Sequence, residues 1–485
     1  MIGPHRLPCE TPEAHAPRGD VSAESVRWVL PATILGSSMS FIDGSVVNVA
    51  LPAIQAGFNA SLSALQWVVN GYMLALASLI LLGGSAGDRY GRRRVFVAGL
   101  AGFTLASLAC ALAPTEAWLI GARFVQGAAA AALTPASLAI IGSSYSGKAR
   151  GPAIGTWAAA GALLTALGPP LGGWLVDAVG WRSIFLINVP VGLAAAALAL
   201  KLPRDAVAAY AAPLDRRVSV LTVLTLGALC YGLIALGEGA TRNAVITLVA
   251  SLPLAWLFVR AERTASAPMM PLALFRNRDF GGANALTVLL YAALGAALFL
   301  LPFQLIERHG YSAFAAGSAL LPFAVLMGLG SRWSGGLVGK LGSRPPLVVG
   351  PALTAAGFVV LGALGDEPSY WLGVLPGLLV MSVGMTIAVA PLTTTVLDSA
   401  PKDASGTASG INNAAARAGT LLAVAALGLA LRGGAANLDA AALTSAYRLT
   451  LFAAAALAAL GAAVAAFTIA PRAAVGVPAG APRAK

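Results

Sequence analysis

Fourteen apolar runs decide what this chain can become. They lie approximately at 28–52, 62–83, 95–113, 117–141, 151–175, 183–200, 218–236, 243–259, 281–305, 313–331, 346–364, 369–395, 406–431 and 447–470. A helix needs roughly 20 apolar residues to cross a bilayer core. Within lipid, every backbone N–H and C=O must find its partner inside the structure, and unbroken runs of this length fit helices. Composition points the same way. The 485 residues are 58% hydrophobic and 10% charged, with mean hydropathy +0.81, whereas a soluble domain carries about 25% charged residues. So few charges cannot cover a water-facing surface, so lipid is the solvent for most of the chain.

The net charge of +12 raises nucleic acid as a partner, but the placement of the charges excludes it. The basic residues sit in short loops between apolar runs, the pattern that orients membrane helices. With the N-terminus in the cytoplasm and the runs alternating, 24 of the 31 basic residues fall in cytoplasmic segments. Five fall outside (Arg182, Arg242, Arg308, Arg432 and Arg448), and Arg123 and Arg417 lie within runs. The expectation is an all-α membrane protein of 14 transmembrane helices with both termini cytoplasmic. Residues 1–27 read as a disordered cytoplasmic tail and not a cleaved signal, with the first run an uncleaved anchor. Cys9, Cys110 and Cys230 imply no disulfide framework.

A repeat divides the chain. Gly84 to Arg93 reads GSAGDRYGRR, and Gly335 to Arg344 reads GGLVGKLGSR. Glycine spacing and basic ends match, while Asp88 becomes Gly339. Two six-span halves with a two-span insert account for this. The expected parts are an N-terminal six-helix bundle at 28–200, two inserted helices with cytoplasmic linkers at 201–280, a C-terminal six-helix bundle at 281–470, and a cytoplasmic tail at 471–485. Residues 260–279 read as an amphipathic linker.

Asp43 is the one acid well inside a run. A charge at membrane depth costs about 2.5–3.5 kcal/mol on insertion scales, so it must face a cavity, a partner or a bound proton. Arg123 is its natural counter-charge. Arginine does not release its proton in practice, so it tunes a carboxylate and does not carry the proton itself. With one buried acid, neutral or monocationic ligands fit more easily than dications. The polar and aromatic residues within runs are candidates for an amphiphile-binding cavity: Asn48, Trp67, Asn70, Tyr72, Trp157, Asn284, Tyr291, Phe303, Gln304, Asn412 and Arg417. The bland alternative for each is packing against lipid or a neighbouring helix. Gly142 to Ala149 only nearly fits a phosphate-binding loop: it lacks the hydroxyl residue that holds Mg²⁺ and has no strand before it. Neither the three histidines nor any nucleophile–base pattern suggests a metal, a cofactor or an enzyme.

The Gly84–Arg94 loop resembles the signature of the major facilitator superfamily, a two-half transporter fold. Four further stretches are similar to motifs of its 14-span drug:proton antiporter branch: Phe41–Ile54 (FIDGSVVNVALPAI), Leu119–Ala131 (LIGARFVQGAAAA), Gly161–Gly173 and Trp181–Gly192 (WRSIFLINVPVG). Gly406–Gly419, with Asn412, Asn413 and Arg417, is similar to that branch's penultimate span. The resemblance implies a proton-coupled antiporter that exports amphiphilic drugs or related small molecules across the inner membrane by alternating access. Its partners would be the substrate, protons and the bilayer, with a periplasmic adaptor left open. Asp43 and Arg123 would couple protons. Asp88, Arg89, Gly91 and Arg92 would gate one end, and Gly161, Gly168, Pro169, Gly172 and Gly173 would form a rocking or sealing element. The alternatives are an exporter of one endogenous metabolite and a non-transporting membrane sensor.

Overall fold

The computed structural model describes residues 26–146, 149–203, 216–265, 268–401, 404–430 and 440–471. The two tails expected from the sequence lie almost wholly outside this range, as do His5, Cys9, His15, Lys148 and Lys402. Among the described residues all regular structure is helical: α1 (Val29–Phe58), α2 (Leu62–Tyr90), α3 (Arg92–Ala111), α4 (Glu116–Ser144), α5 (Arg150–Val179), α6 (Asn188–Ala199), α7 (Arg216–Gly237), α8 (Thr241–Thr264), α9 (Arg278–Phe303), α10 (Ala313–Ser318), α11 (Leu321–Gly335), α12 (Arg344–Ala363), α13 (Leu375–Asp398), α14 (Ser405–Ala426) and α15 (Ala440–Thr468). Twelve described segments are long and apolar enough to cross a membrane, α10 and α11 counting together as one. Two of the fourteen runs fall outside those twelve: Ser183–Ala199 forms a shorter apolar helix, and α14 carries Asn412, Asn413 and Arg417.

Local chemistry sets the boundaries. Ser61, Thr115 and Ser312 each accept a hydrogen bond from the backbone N–H three residues on, which satisfies a donor that the first helical turn leaves open. Gly91 and Gly342 stop α2 and the short helix Leu337–Leu341 with φ of +95° and +78°, a conformation that side chains disfavour. Each donates its N–H to the carbonyl four residues back. The two copies of the repeated loop therefore turn by the same device. The run at 313–331 is broken between α10 and α11, where Pro322 has no N–H to donate to Ser318. Among the described residues between Thr264 and Arg278, Leu272–Arg276 forms a tight turn.

The packing repeats as well. In the first bundle α2 packs on α4, α3 on α4, α1 on α5 and α6, and α3 on α6. In the second, α11 packs on α13, α12 on α13, α9 on α14 and α15, and α12 on α15. The bundles meet mainly along two seams, α2 with α14 and α5 with α10 and α11, and α1 also touches α9 and α10. α7 packs on α2 and α14, with α8 outside it, and α8 leaves Val245, Ile246, Val249, Leu252 and Trp256 exposed, as a lipid-facing helix does.

The α5 glycines explain one seam. A Cβ on Gly161 would meet the Phe41 ring at 2.7 Å, and one on Gly168 or Gly172 would overlap Ser45 or Val46. These three share a face of α5 and let it lie directly on α1. Gly173 faces the other way, where a side chain would overlap the Ala313 carbonyl; Gly317 of α10 returns the contact against Pro169. Asp177 then accepts hydrogen bonds from the Ala313 and Phe314 N–H groups, at 3.1 and 2.8 Å. In the other seam Gln66 donates to the Val424 carbonyl at 2.6 Å. Both sets of interbundle hydrogen bonds lie where α2 begins and α5 ends.

Candidate functional site

Asp43 sits midway along α1 and is fully buried. Its Oδ2 accepts from Arg123 Nη1 at 2.5 Å, and its Oδ1 accepts from Gln126 Nε2 at 2.9 Å. Arg123 is 2% exposed. Its Nε donates to the Val68 carbonyl at 3.1 Å, and Nη1 also reaches Gln126 Oε1 at 2.6 Å. The second Gln126 N–H goes to Ser107 Oγ at 2.8 Å, and the Cys110 thiol points at Gln126 Oε1. Four helices thus close one charged network, α1, α3 and α4 with side chains and α2 with the Val68 carbonyl, in which polar groups answer one another, the condition for keeping such groups in an apolar interior.

Tight helix packing places the arginine. A Cβ on Gly127 would overlap the Tyr72 carbonyl, so only glycine lets α4 come this close to α2. One turn earlier on α4, the Arg123 guanidinium lies 4.4 Å from the Tyr72 ring centroid and 5.7 Å from that of Phe185, within cation–π range. The Tyr72 hydroxyl shares a hydrogen bond with Ser40 at 2.9 Å. Tyr72 is therefore a platform for the arginine and a bridge back to α1.

The other residues singled out from sequence divide into groups. Trp157 donates to Ser37 Oγ at 3.1 Å and packs edge-on to Phe41, beside Asp43's helix. Asn412 donates to Thr287 Oγ1 at 2.7 Å and to Asn284 Oδ1 at 3.3 Å, joining α14 to α9. Asn48 and Tyr291 are half-buried. Asn70 is fully buried with both amide atoms unpaired, on the α2 face between Gln66 and Leu74. Three candidates hold packing contacts of their own. Gln304 donates to the Gly365 carbonyl at 2.8 Å and ties the end of α9 to the loop after α12. Trp67 packs into the cluster that Leu74 forms with Cys230, Ile234 and Leu421, where α7 joins the seam. Phe303 stacks on Phe299 within the second bundle's core. At the far end of α2, Asp88 pairs with Arg92 at 3.1 Å, Arg92 reaches the Ala139 carbonyl, and Arg89 is exposed beside Tyr90. Sequence reading did not single out Ser40, Ser107 and Cys110; nothing in their local spacing marks them, because their partners come from other helices.

Two helical bundles packed along two seams, with a buried ion pair midway along the first, define a multi-pass membrane carrier. The family model described as Major Facilitator Superfamily matches residues 33–424, and the chain belongs to that superfamily. It is a transporter, not an enzyme. Among curated relatives, the multidrug resistance protein Stp of Mycobacterium tuberculosis (strain CDC 1551 / Oshkosh) is 37% identical over 406 residues, covering 83% of this chain and 75% of that protein. The tetracenomycin C resistance and export protein of Streptomyces glaucescens is 35% identical over 422 residues, covering 86% and 78%. Among solved structures, a bacterial homolog of the human lysosomal transporter Spinster, inward-facing and unoccupied, matches with TM-score 0.67 and 18% identity over 92% of this chain and 97% of that one. At that identity the match speaks for the fold alone.

Proposed function

We propose that this chain is a 14-span, proton-coupled exporter of amphiphilic drugs or related small molecules in the inner membrane, with both termini cytoplasmic. The single observation that carries the reading is Asp43, fully buried in the middle of α1 and paired to Arg123. Intramembrane ionisable residues mark substrate and ion pathways, and a buried ion pair is a poor device for stability alone. Relatives named for multidrug or antibiotic resistance support export as the direction.

In the mechanism we propose, Asp43 takes a proton when the site faces outward. The carboxyl then releases Arg123, Gln126 turns to a new acceptor, and the contacts among α1, α3 and α4 change. Proton release to the cytoplasm restores the pair. Arg123 keeps its own proton throughout and sets the charge that Asp43 answers. One proton moving down 100 mV supplies about 2.3 kcal/mol. At 1.4 kcal/mol per tenfold, that sustains roughly a fifty-fold substrate gradient. In this orientation the seam closed by Gly173, Gly317 and Asp177 lies at the outer end of the bundles. Gly161, Gly168 and Gly172 keep α5 on α1 as the bundles rock, Pro169 meets Gly317 of the second bundle, and Asp88, Arg89, Gly91 and Arg92 act when the cytoplasmic end closes.

The test is substrate-evoked proton movement in proteoliposomes, wild type against Asp43→Asn. Proton flux that disappears in the variant is the expected result. Flux that survives it removes Asp43 as the coupling acid, and absence of any flux with folded wild-type protein overturns proton-coupled export.

A further inference from the structure

The chain holds a second intramembrane arginine whose charge nothing in the described structure answers. Arg417 lies on α14, the helix of the second bundle that packs against α2 of the first. Its Nε is fully covered and has no hydrogen-bond partner. Asp43–Arg123, Asp88–Arg92 and Asp366–Arg448 are ion pairs of the described residues, and none of these includes Arg417. From residue 281 to residue 470 the acids are Glu307, Asp366, Glu367, Asp398, Asp403 and Asp439; the first four lie at or beyond helix ends, and the last two fall outside the described residues. Among the described residues no carboxylate lies midway along a helix of the second bundle to neutralise it.

Its position is fixed by the seam. Gln66 bonds to Val424 near one end of the α2–α14 contact, and a Cβ on Gly410 would meet Leu81 near the other. The helices are antiparallel, so this register sets Arg417 opposite Met73 and Leu74, next to Tyr72. The guanidinium is within Coulombic range of the Tyr72 and Tyr291 phenols, one from each bundle. Tyr72 also carries Arg123 on its ring. Arg123 therefore lies on the Tyr72 ring while Arg417 sits across the seam within electrostatic reach of it, and the nearby carboxylate, Asp43, is already paired with Arg123. One positive charge is left over between the bundles.

We infer that Arg417, with the Tyr72 and Tyr291 hydroxyls, is the binding subsite for an acidic group, and that the substrate is an amphiphilic anion: an apolar body bearing a carboxylate or an ionised acidic phenol. A guanidinium offers a planar pair of donors that matches a carboxylate, and phenol hydroxyls donate to the same oxygens. The inference rests on the transporter reading for its function, but the subsite itself does not depend on proton coupling. It reverses the preference for neutral or cationic ligands that a simple count of acids suggests, because Asp43 has no charge to spare.

The experiment uses the full-length protein in phosphatidylcholine vesicles, which contain no anionic lipid, and three probes that share one apolar body: pyrenebutyrate, pyrenebutanol and pyrenebutyltrimethylammonium. Wild type is expected to bind the butyrate about tenfold or more tightly than the other two, the scale of a charge-assisted hydrogen bond. Arg417→Gln is expected to abolish that preference without weakening pyrenebutanol, and Arg417→Lys to keep part of it. Tyr291→Phe, which leaves the charge in place, is expected to weaken the butyrate alone by a few-fold. A wild type that does not prefer the butyrate, or a preference that survives in Arg417→Gln, overturns the inference. Should Arg417→Gln not fold, the wild-type preference and the Tyr291→Phe arm decide. Arg417-dependent butyrate binding with no proton-linked transport would keep the subsite and remove the antiporter reading. Proton-linked transport of pyrenebutanol without any preference for the anion would do the reverse.

Discussion

The two bundles share a helix order, a loop motif and a packing scheme, and they handle charge in opposite ways. In the first, Asp43, Arg123, Gln126, Ser107 and Cys110 answer one another across α1, α3 and α4. In the second, the buried polar contacts between α9 and α14 are neutral, Asn412 with Thr287 and Asn284, and Arg417 stands without an acid. A closed network can be switched by one proton. An open charge waits for something that arrives from outside. The difference suggests a division of labour within one symmetric frame: proton handling in one bundle, ligand charge in the other.

The hardest blow to that contrast is aimed at Arg123. Arg123→Ala would leave Asp43 buried without its cation and is expected to cost about 3–5 kcal/mol of stability, read as a large fall in thermal unfolding temperature in detergent. Asp43→Asn with Arg123→Gln removes both charges together and should recover most of that loss while still abolishing proton coupling. Arg417→Gln, which strips a charge with no partner to orphan, should lower stability far less than Arg123→Ala. Equal losses at the two arginines would break the comparison.

How much of this the sequence discloses follows from what a helix run can and cannot encode. The runs place the helices to within a few residues for most of the chain, and the two copies of the glycine loop mark turns that Gly91 and Gly342 make with positive φ. Asp43 and Arg123 stand out because a charge in an apolar run is rare enough to need a reason. Ser107 and Cys110 do not stand out, and Tyr72 does so only as one aromatic among several. Their roles depend on how α3, α4 and α2 are rotated about their axes, and helices apolar on nearly all sides carry little periodicity to report that rotation. Gln304 and Trp67 mislead for the same reason: their polarity and size fit a cavity, but their partners, Gly365 and the α7 cluster, lie in other segments. The break at Pro322 was present in the sequence but hidden by the continuous hydropathy around it. A count of acids likewise gives the number of charges without saying which are already paired.

Whether the bundles move as bodies can be tested at two glycines of similar crowding. A methyl at Gly127 would overlap the Tyr72 carbonyl inside the first bundle, and one at Gly173 would overlap the Ala313 carbonyl between bundles. Overpacking costs about 1–3 kcal/mol at either place, but it should be felt differently. Gly127→Ala is expected to lower the unfolding temperature. Gly173→Ala is expected to spread the α5–α10 seam with a smaller loss of stability, because the bundles can separate there without unpacking. Spin labels at the exposed positions Val179 and Phe314 would read the spread as a longer distance in Gly173→Ala only. A longer distance in Gly127→Ala instead would mean that the seam follows the interior of the first bundle.

The smallest expected effect concerns Asp88, one of two positions where the repeated loops differ in charge, the other being Arg92 against Ser343. Asp88→Gly makes the first copy match the second at that position, where Gly339 has open space around it. The Asp88–Arg92 pair is 58% and 35% exposed, and Arg92 keeps the Ala139 carbonyl when Asp88 is gone. A pair of this kind, four residues apart and open to solvent, contributes about 0.3–0.5 kcal/mol, so the unfolding temperature should barely move. If Asp88 works as a gate it does so when the cytoplasmic ends meet, and transport should then slow while stability holds. A loss of stability above about 1 kcal/mol, beyond what an exposed pair contributes, would show that Asp88 acts in the conformation described here. Unchanged transport with unchanged stability would show that the two loop copies differ in charge without differing in function, and would leave Asp43 and Arg417 as the whole of the asymmetry between the bundles.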